Sequence, residues 1–234
     1  MKILIFDTET TGLPKSKIIS PYNLNEWPYI VQFSFIVYDS SLNIITEMYD
    51  KIIKLPENII IPQEAINIHK VTNEMSQSSK TTLQDALKEF FYNLKMVDML
   101  VGHNIEFDTN VLRVELMRLI HHDDEIRDDT KLLKKYKENL FLLQTFENTF
   151  CTLKETIQFC NIQAFNKLGR PYIKYPKLSE LHEKLFHTTP NSLHNSIVDV
   201  LVTLRCFVKM KYNDDILTNC RTFKRYNQRF RIYE

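Results

Sequence analysis

The chain has 234 residues, of which 44% are hydrophobic and 25% are charged, and its formal net charge is +1. This composition excludes an intrinsically disordered chain, and the near-neutral charge excludes a strong overall field that would recruit a polyanion. No stretch approaches the roughly 18 consecutive apolar residues of a membrane span, so we expect no membrane association. The length fits one α/β domain with a full core.

The first half of the chain begins with strand patterns. Residues 2–8 (KILIFDT) form an apolar, β-branched run bounded by turn residues, and residues 30–39 and 44–55 predict two more strands. A helix follows, with Thr82 and Asp85 suited to its cap and with apolar residues at the helical period. We expect the three strands to form an antiparallel start to the sheet.

The second half alternates strands and helices. After a predicted strand at 98–104, helical patterns occur at 111–119, 153–160, 179–186 and about 195–211. Antiparallel strands followed by this alternation predict an α/β fold with a mixed sheet and helices packed over it.

Two segments depart from this alternation of strands and helices. Residues 121–148 carry a block of acidic residues and then a block of basic residues, which predicts a charged, solvated insertion or a small helical excursion. The stretch after residue 212 is basic and aromatic. We therefore predict one domain over residues 1–212 and a basic, aromatic tail over residues 213–234.

The cysteines and the N-terminus bear on the compartment. The four cysteines form no Cys-x-x-Cys pair, and two lie in apolar helical patterns, where a free thiol packs as a small hydrophobic group. The N-terminal MKILIFDTETTG has no cleavable signal pattern. We expect a protein of the cytoplasm or nucleus, in a reducing compartment, that is not secreted.

Two carboxylates follow the first strand in the segment FDTETTGLP. Asp7 and Glu9 are two residues apart and therefore face the same side of an extended backbone. An isolated Asp-x-Glu is more often an ordinary polar pair at a strand end. Here the strand enters a Thr-Thr-Gly turn, where Gly12 lets the backbone approach a ligand closely. The whole segment is therefore more specific than the pair.

Three more polar groups stand in the segments VGHNIEFD and HNSIVD. Asp108 lies in the first turn of a helix after an apolar strand, at the sheet edge where ligands gather, although a lone Asp there more often caps the helix. Asp199 points away from the apolar stripe of its predicted helix, and His194 precedes that helix. A lone histidine is more often a surface or capping residue, but an imidazole titrates near neutral pH and suits a general base.

In this order, the three segments resemble the exonuclease motifs of the DEDDh family, the DnaQ-like 3′–5′ exonucleases that include polymerase proofreading subunits, oligoribonuclease and RNase T. Segments 61–75, 150–160 and 177–186 also resemble stretches that accompany the motifs. The resemblance covers about residues 1–210. It implies an RNase H-like fold, a mixed five-stranded sheet with helices on both faces.

The resemblance implies a role for each of the five groups. Asp7 would bridge two divalent ions, and Glu9 and Asp199 would bind the ion that activates water. Asp108 would help to hold the second ion, and His194 would be the general base. All-oxygen ligands suit Mg²⁺ or Mn²⁺. Substrate contacts are expected in the first two motifs, at Thr8, Thr10, Thr11, Gly12, Leu13, His103, Asn104 and Phe107.

Two positions in the third motif bear on how closely the chain resembles the family and on which branch it fits. Ser196 stands where the family usually has alanine, and it is small but polar. The tyrosine branch of the family would need a tyrosine four residues before Asp199, where this chain has Asn195. The histidine branch therefore fits better.

The implied activity is hydrolysis of the terminal phosphodiester of DNA by a metal-dependent 3′–5′ exonuclease, with release of nucleoside 5′-monophosphates, in proofreading or end-trimming. The partners would be the 3′ end of a nucleic acid and a DNA polymerase or repair complex. An exoribonuclease stays open as an alternative, because the motifs do not separate DNA from RNA. An inactive nucleic-acid-binding or polymerase-binding module is disfavoured, because a carboxylate cluster without metal repels phosphates.

Further candidates have two interpretations each. Two stretches combine cations with aromatic residues: Lys167, Arg170, Tyr172, Lys174, Tyr175 and Lys177, and then Arg221, Phe223, Lys224, Arg225, Tyr226, Arg229, Phe230, Arg231 and Tyr233. They either bind phosphates and unpaired bases, or are solvated faces whose aromatics pack into the core. Leu13 either wedges against the terminal base or is core. The histidine and acid run 121–124 is excluded as a metal site, because adjacent side chains rarely converge on one ion.

Overall fold

A five-stranded mixed sheet forms the centre of the computed structural model, which describes residues 1–233. In chain order its strands are β1 (Lys2–Thr10), β2 (Ile30–Asp39), β3 (Ile44–Ile52), β4 (Met99–Gly102) and β5 (Thr149–Cys151). Their order across the sheet is β3-β2-β1-β4-β5. The first three strands pair antiparallel, and β4 and β5 are added parallel to β1. The predicted sheet is confirmed, including its antiparallel start.

Twelve helices and a short hairpin complete the described part of the chain. The helices are α1 (Gln63–His69), α2 (Asn73–Ser78), α3 (Leu83–Leu94), α4 (Ile105–His122), α5 (Asp124–Asp128), α6 (Thr130–Thr145), α7 (Thr152–Glu155), α8 (Ile157–Cys160), α9 (Leu178–Phe186), α10 (Ser196–Tyr212), α11 (Ile216–Asn219) and α12 (Arg221–Phe230). The hairpin strands are β6 (Gln163–Phe165) and β7 (Pro171–Ile173). A single turn of 3₁₀ helix spans Leu24–Glu26. The hairpin was not predicted.

The sheet is buried on both faces because side chains alternate along each strand. In β1, Leu4 and Phe6 enter one core with residues of α3, α4 and α6. Ile3 and Ile5 enter a second core with residues of α9, α10 and α12. Helices therefore cover both faces, as the resemblance implied. The alternation also decides which helix each polar residue at the end of β1 will meet.

The charged segment 121–148 is helical. It contains the end of α4, all of α5 and α6, and most of its charged side chains are exposed. Ile126, Tyr136 and Leu143 are buried in the same core as α4, so the expected solvation does not extend to them. The acidic start is partly explained by capping, because Asp123 accepts a hydrogen bond from Ile126 N at 3.1 Å.

The segment after residue 212 packs onto the second core. Ile216, Cys220, Phe223 and Ile232 are fully buried there. The predicted division at residue 212 remains a prediction, and Glu234, the last residue of the predicted tail, lies outside the described residues. All four cysteines are buried free thiols. Among residues 1–233, no helix has both the length and the apolar character needed to cross a membrane.

Candidate active site

Strand β1 delivers its two carboxylates toward α10. Asp7 and Glu9 have the same parity as Ile3 and Ile5, whose side chains contact the core that α10 covers. Asp199 lies in the first turn of α10. Carboxylate oxygens of Asp7, Glu9 and Asp199 lie within 4.8 Å of one another. The structure therefore brings together three of the five predicted groups, 192 residues apart at the extremes.

Burial and mutual repulsion disfavour the ionised form of this cluster. Burial raises the pKa of Asp7 to about 7, against the opposing effect of the Ser196 hydroxyl. Burial, and then repulsion from Asp7, Asp199 and Asp108, raises the pKa of Glu9 to about 10. The pKa of Asp199 is raised well above its usual value, first by burial and then by Asp7. Such a cluster calls for positive charge.

Two oxygens in the cluster have no hydrogen-bond partner within the described chain. They are Oδ2 of Asp7 and Oδ1 of Asp199, and both are buried. Buried polar atoms are nearly always paired, so two unpaired carboxylate oxygens beside a third carboxylate fit the ligand set of a cation. Because all the donors are oxygens, the chemistry fits Mg²⁺ or Mn²⁺. The cluster therefore fits a divalent-cation site.

Asp108 is held beside this cluster by Thr8. Thr8 faces the opposite side of β1 from Asp7, toward α4, and it is buried. Its main-chain nitrogen donates to Oδ1 of Asp108 at 3.0 Å, and its hydroxyl donates to the same oxygen at 2.7 Å. Burial and then Asp7 raise the pKa of Asp108 well above its usual value. Thr8, expected to contact substrate, is thus engaged in positioning Asp108.

His194 is exposed just before α10 in a left-handed backbone conformation, with φ of 69°. This conformation is uncommon for a residue with a side chain, and such residues cluster at functional sites. The main-chain nitrogen of His194 donates to Oδ2 of Asp199 at 3.1 Å. The turn thereby ties His194 to a carboxylate of the cluster while its imidazole stays accessible.

Ser196, which stands where the family usually has alanine, makes a hydrogen bond that alanine could not make. Its side chain is fully buried at the start of α10, and its hydroxyl donates to the carbonyl oxygen of Asp7 at 2.8 Å. Alanine would leave that carbonyl without this partner. The polar substitution therefore joins the first turn of α10 directly to the strand that carries Asp7.

The turn after β1 is built from the expected substrate-contact residues. Thr10 is buried, and its hydroxyl donates to Gly12 O at 2.7 Å. Gly12 has φ of 146°, which residues with side chains rarely adopt, and a Cβ there would meet open space. Leu13 is 82% exposed, which excludes the interpretation that it is core. The turn presents backbone and an apolar side chain to the outside.

In the second motif, His103 and Phe107 are held within the fold, whereas Asn104 is exposed. His103 hydrogen-bonds through Nδ1 to Thr152 Oγ1 at 2.9 Å and through Nε2 to Pro176 O at 3.1 Å, and burial lowers its pKa to about 4. Asn104 is exposed in a left-handed conformation before α4, and Phe107 packs on the core beneath. His103 is therefore a neutral anchor in the fold.

Contacts of Arg118 and Glu115, which the sequence did not reveal, hold the turn after β1 in place. Arg118 of α4 is buried and paired with Glu115 at 3.0 Å, and Glu115 accepts a hydrogen bond from Ile30 N at 3.0 Å. The Arg118 guanidinium donates to the carbonyls of Leu24, Trp27 and Pro28. Tyr29, held between these contacts, accepts from Thr11 N at 2.9 Å and donates from its own nitrogen to Thr11 Oγ1 at 3.0 Å.

The model of the RNase T exonuclease family matches residues 4–207. The chain belongs to this exonuclease family. No curated protein sequence matches the chain significantly. Membership confirms the resemblance at the level of DEDD-type 3′–5′ exonucleases.

Several solved structures of exonuclease I share this fold. E. coli exonuclease I in complex with a dT13 oligonucleotide has a TM-score of 0.60 at 17% identity, over 91% of this chain and 42% of that one. A product-bound exonuclease I gives 0.59 at 17%, over 97% and 46%. Exonuclease I from Methylocaldum szegediense gives 0.54 at 16%, over 93% and 42%. The chain spans less than half of each, and at this identity the likeness shows the fold alone.

Glu9→Gln should stabilise the metal-free protein. The raised pKa of Glu9 means that its stability contribution is greatest at low pH and is lost as pH rises from the unfolded value, 4.5, toward about 10. Replacing the carboxylate should raise the free energy of unfolding in EDTA at pH 8 by about 1–2 kcal/mol, with a smaller gain at pH 5. Thermal unfolding at both pH values measures this. An equal gain from Glu47→Gln, on the exposed part of β3, would contradict it.

Proposed function

We propose that this chain is a metal-dependent 3′–5′ exonuclease of the histidine type that hydrolyses the terminal phosphodiester of DNA and releases nucleoside 5′-monophosphates. The observation that carries the proposal is the convergence of Asp7, Glu9 and Asp199, with two buried carboxylate oxygens lacking partners. Family membership supplies the class of enzyme, and the cluster supplies the chemistry.

Two divalent ions, Mg²⁺ or Mn²⁺, are proposed as cofactors. Asp7, Glu9 and Asp199 would hold one, and Asp7 with Asp108 would hold the other. When bound, such ions supply a more acidic water and stabilisation of the leaving 3′ oxygen. The unpaired oxygens of Asp7 and Asp199 support the first ion. The second is supported by the hydrogen bonds from Thr8, because both go to Oδ1 of Asp108 and leave its other oxygen available to a cation.

The chain's own residues orient the reactants and move the proton. The accessible imidazole of His194 accepts the proton of the attacking water. The hydrogen bond from its main-chain nitrogen to Asp199 positions the backbone that carries the imidazole. Exposed Leu13 packs against the terminal base, and the backbone around Gly12 leaves room for the terminal nucleotide.

DNA is the proposed substrate because one of the similar solved structures holds a dT13 oligonucleotide. The proposed roles are proofreading or end-trimming, beside a polymerase or in repair. The four buried thiols support the expected reducing compartment. An inactive binding module is disfavoured, because the cluster retains every carboxylate in a mutually repulsive arrangement that a bound cation relieves.

The proposal is tested with 5′-labelled single strands of DNA and RNA, incubated with Mg²⁺ or with EDTA. We expect stepwise shortening of the DNA strand from its 3′ end in Mg²⁺, mononucleotide 5′-monophosphates as products, and no reaction in EDTA. Preferential shortening of the RNA strand would replace DNA by RNA in the proposal. Full-length strands of both kinds would contradict the activity.

His194→Ala should lower kcat in this assay by about 10²–10⁴-fold, the usual contribution of a general base. His121→Ala is the matched control, because His121 is exposed near the end of α4. Initial rates of the two variants at saturating strand concentration measure the difference. Full activity of His194→Ala would remove His194 from the role of base.

A further inference from the structure

The hairpin of β6 and β7 is shaped by its own hydrogen bonds. Its strands pair antiparallel, with Phe165 opposite Pro171 and Ala164 opposite Tyr172. In the turn, Oδ1 of Asn166 accepts hydrogen bonds from the nitrogens of Leu168 and Arg170, at 2.9 and 3.0 Å. Gly169 takes the left-handed conformation, φ 70°, that closes the turn. The tip is therefore held in one shape by its own hydrogen bonds.

Large apolar side chains on this hairpin face solvent instead of a core. The exposed fractions are 70% for Phe165, 78% for Leu168, 50% for Tyr172 and 62% for Tyr175. The second basic and aromatic stretch behaves differently: Phe223 is fully buried, and Tyr226, Phe230 and Tyr233 pack on the second core. Of the two stretches, only the first leaves its rings free to stack.

The hairpin is also a local positive patch in a nearly neutral chain. The sequence has no acidic residue between Glu155 and Glu180, but it has four cations there. Lys174 is paired with Glu180 at 2.6 Å. Within residues 1–233, Lys167 and Arg170 form no ion pair, and both are exposed at the hairpin tip.

One hydrogen bond ties the base of the hairpin to the edge of the sheet where the acidic cluster lies. The carbonyl of Pro176 contacts Nε2 of His103 at 3.1 Å. In the parallel pairing of β1 with β4, Ile5 is opposite Val101; Asp7 lies two residues further along β1, and His103 follows the end of β4. The exposed ring of Tyr175 therefore lies at the same edge of the sheet, the carboxyl end of β1 and β4, that carries Asp7 and Glu9.

We propose that the hairpin surface, defined as Phe165, Lys167, Leu168, Arg170, Tyr172 and Tyr175, binds the single-stranded part of a nucleic acid upstream of the 3′ end in the acidic cluster. The inference rests on the proposed function for the position of that 3′ end. Exposed rings stack on unpaired bases of any sequence, and free cations contact the phosphates between them. Paired bases offer no such faces, so the surface selects single strands over duplex.

Binding of a 5′-fluorescent dT20 strand, measured by anisotropy in Ca²⁺ without turnover, tests the proposal. Phe165→Ala with Tyr172→Ala should weaken Kd at least about fivefold per ring and leave the salt dependence unchanged. Lys167→Gln with Arg170→Gln should weaken Kd about tenfold at low salt and reduce the slope of log Kd against log salt by about 1.4. Both variants should keep the wild-type melting temperature, because the substituted side chains are exposed.

The matched control is Tyr92→Ala with Lys95→Gln, two exposed residues at the end of α3, which leads to the start of β1, the end opposite the acidic cluster. Unchanged Kd in both hairpin variants, equal weakening in the control, or equal affinity for a blunt duplex would overturn the proposal. The binding result is independent of catalysis. A wild-type chain that binds dT20 through the hairpin but shortens no strand contradicts the proposed function alone.

Discussion

Asp7→Asn should reduce exonuclease activity by at least about 10³-fold, since bound metal contributes several kcal/mol of charge stabilisation in the transition state. Asp7 contributes to the whole cluster: its carboxylate lies within 4.8 Å of those of Glu9 and Asp199, and burial and then repulsion from Asp7 raise the pKa values of Glu9, Asp108 and Asp199. The amide keeps the size of the side chain but lacks the charge that would hold a cation. Initial rates of strand shortening in Mg²⁺ measure the loss.

The same substitution at the other end of the sheet is the control. Asp39 ends β2 opposite Lys2, and its Oδ1 caps the turn by accepting from Ser41 N at 2.9 Å. Asp39→Asn should retain the wild-type rate. Equal activity in Asp7→Asn and the wild type would show that strand cleavage occurs elsewhere.

Asp215→Ala should lower the free energy of unfolding by about 3–5 kcal/mol, because it leaves the buried guanidinium of Arg205 without its counter-ion. Arg205 projects from α10 and makes two hydrogen bonds to Asp215, at 2.9 and 2.7 Å. Its guanidinium also lies 3.9 Å from the ring centroid of Phe186 and 4.3 Å from that of Tyr233. Chemical denaturation of the metal-free protein measures the loss.

The pH dependence of this loss identifies its cause. Burial alone raises the pKa of Asp215, but the hydrogen bonds and charge of Arg205 outweigh it and hold the pKa below its usual value. A lowered pKa contributes stability above the unfolded value, 3.8, and loses it as pH falls through the folded value. The difference between wild type and Asp215→Ala should therefore shrink in acid.

The exposed ion pair of Arg127 and Asp124 provides the contrast. Asp124→Ala should change stability by less than about 1 kcal/mol, because exposed pairs are screened by water. A loss as large as that of Asp215→Ala would contradict the explanation from burial.

The strands and the acidic residues were predictable because local patterns specify them. Apolar β-branched runs marked β1 and β2, and the two-residue period placed Asp7 and Glu9 on one side. The third motif predicted both the start of α10 and the position of Asp199. These signals lie within short segments of the chain, and the order of the segments indicated how they meet.

Contacts between distant residues were not predictable from local patterns. Ser196 and Asp7 are 189 residues apart, and Arg118 reaches carbonyls about 90 residues before it. Thr8 was expected at the substrate, but the alternation along β1 turns it toward α4 and Asp108. A polar residue type does not reveal which partner the fold will supply.

The hairpin and the C-terminal helices show a different limit. Strands of three residues are too short for a period-two pattern, and Gly169 was the main signal for the turn. Alternating cations and aromatics left binding and packing open as interpretations of both basic stretches. Only tertiary packing separated them, by burying Phe223 and exposing Phe165.

Anomalous scattering from crystals grown with Mn²⁺ tests most directly whether the cluster at the end of β1 is a metal centre. We expect a strong anomalous peak among the carboxylate oxygens of Asp7, Glu9 and Asp199, a second peak between Asp7 and Asp108, and loss of both in Asp7→Asn. Wild-type crystals with no Mn²⁺ at these carboxylates, or with Mn²⁺ only at surface acids such as those of α5, would contradict the assignment.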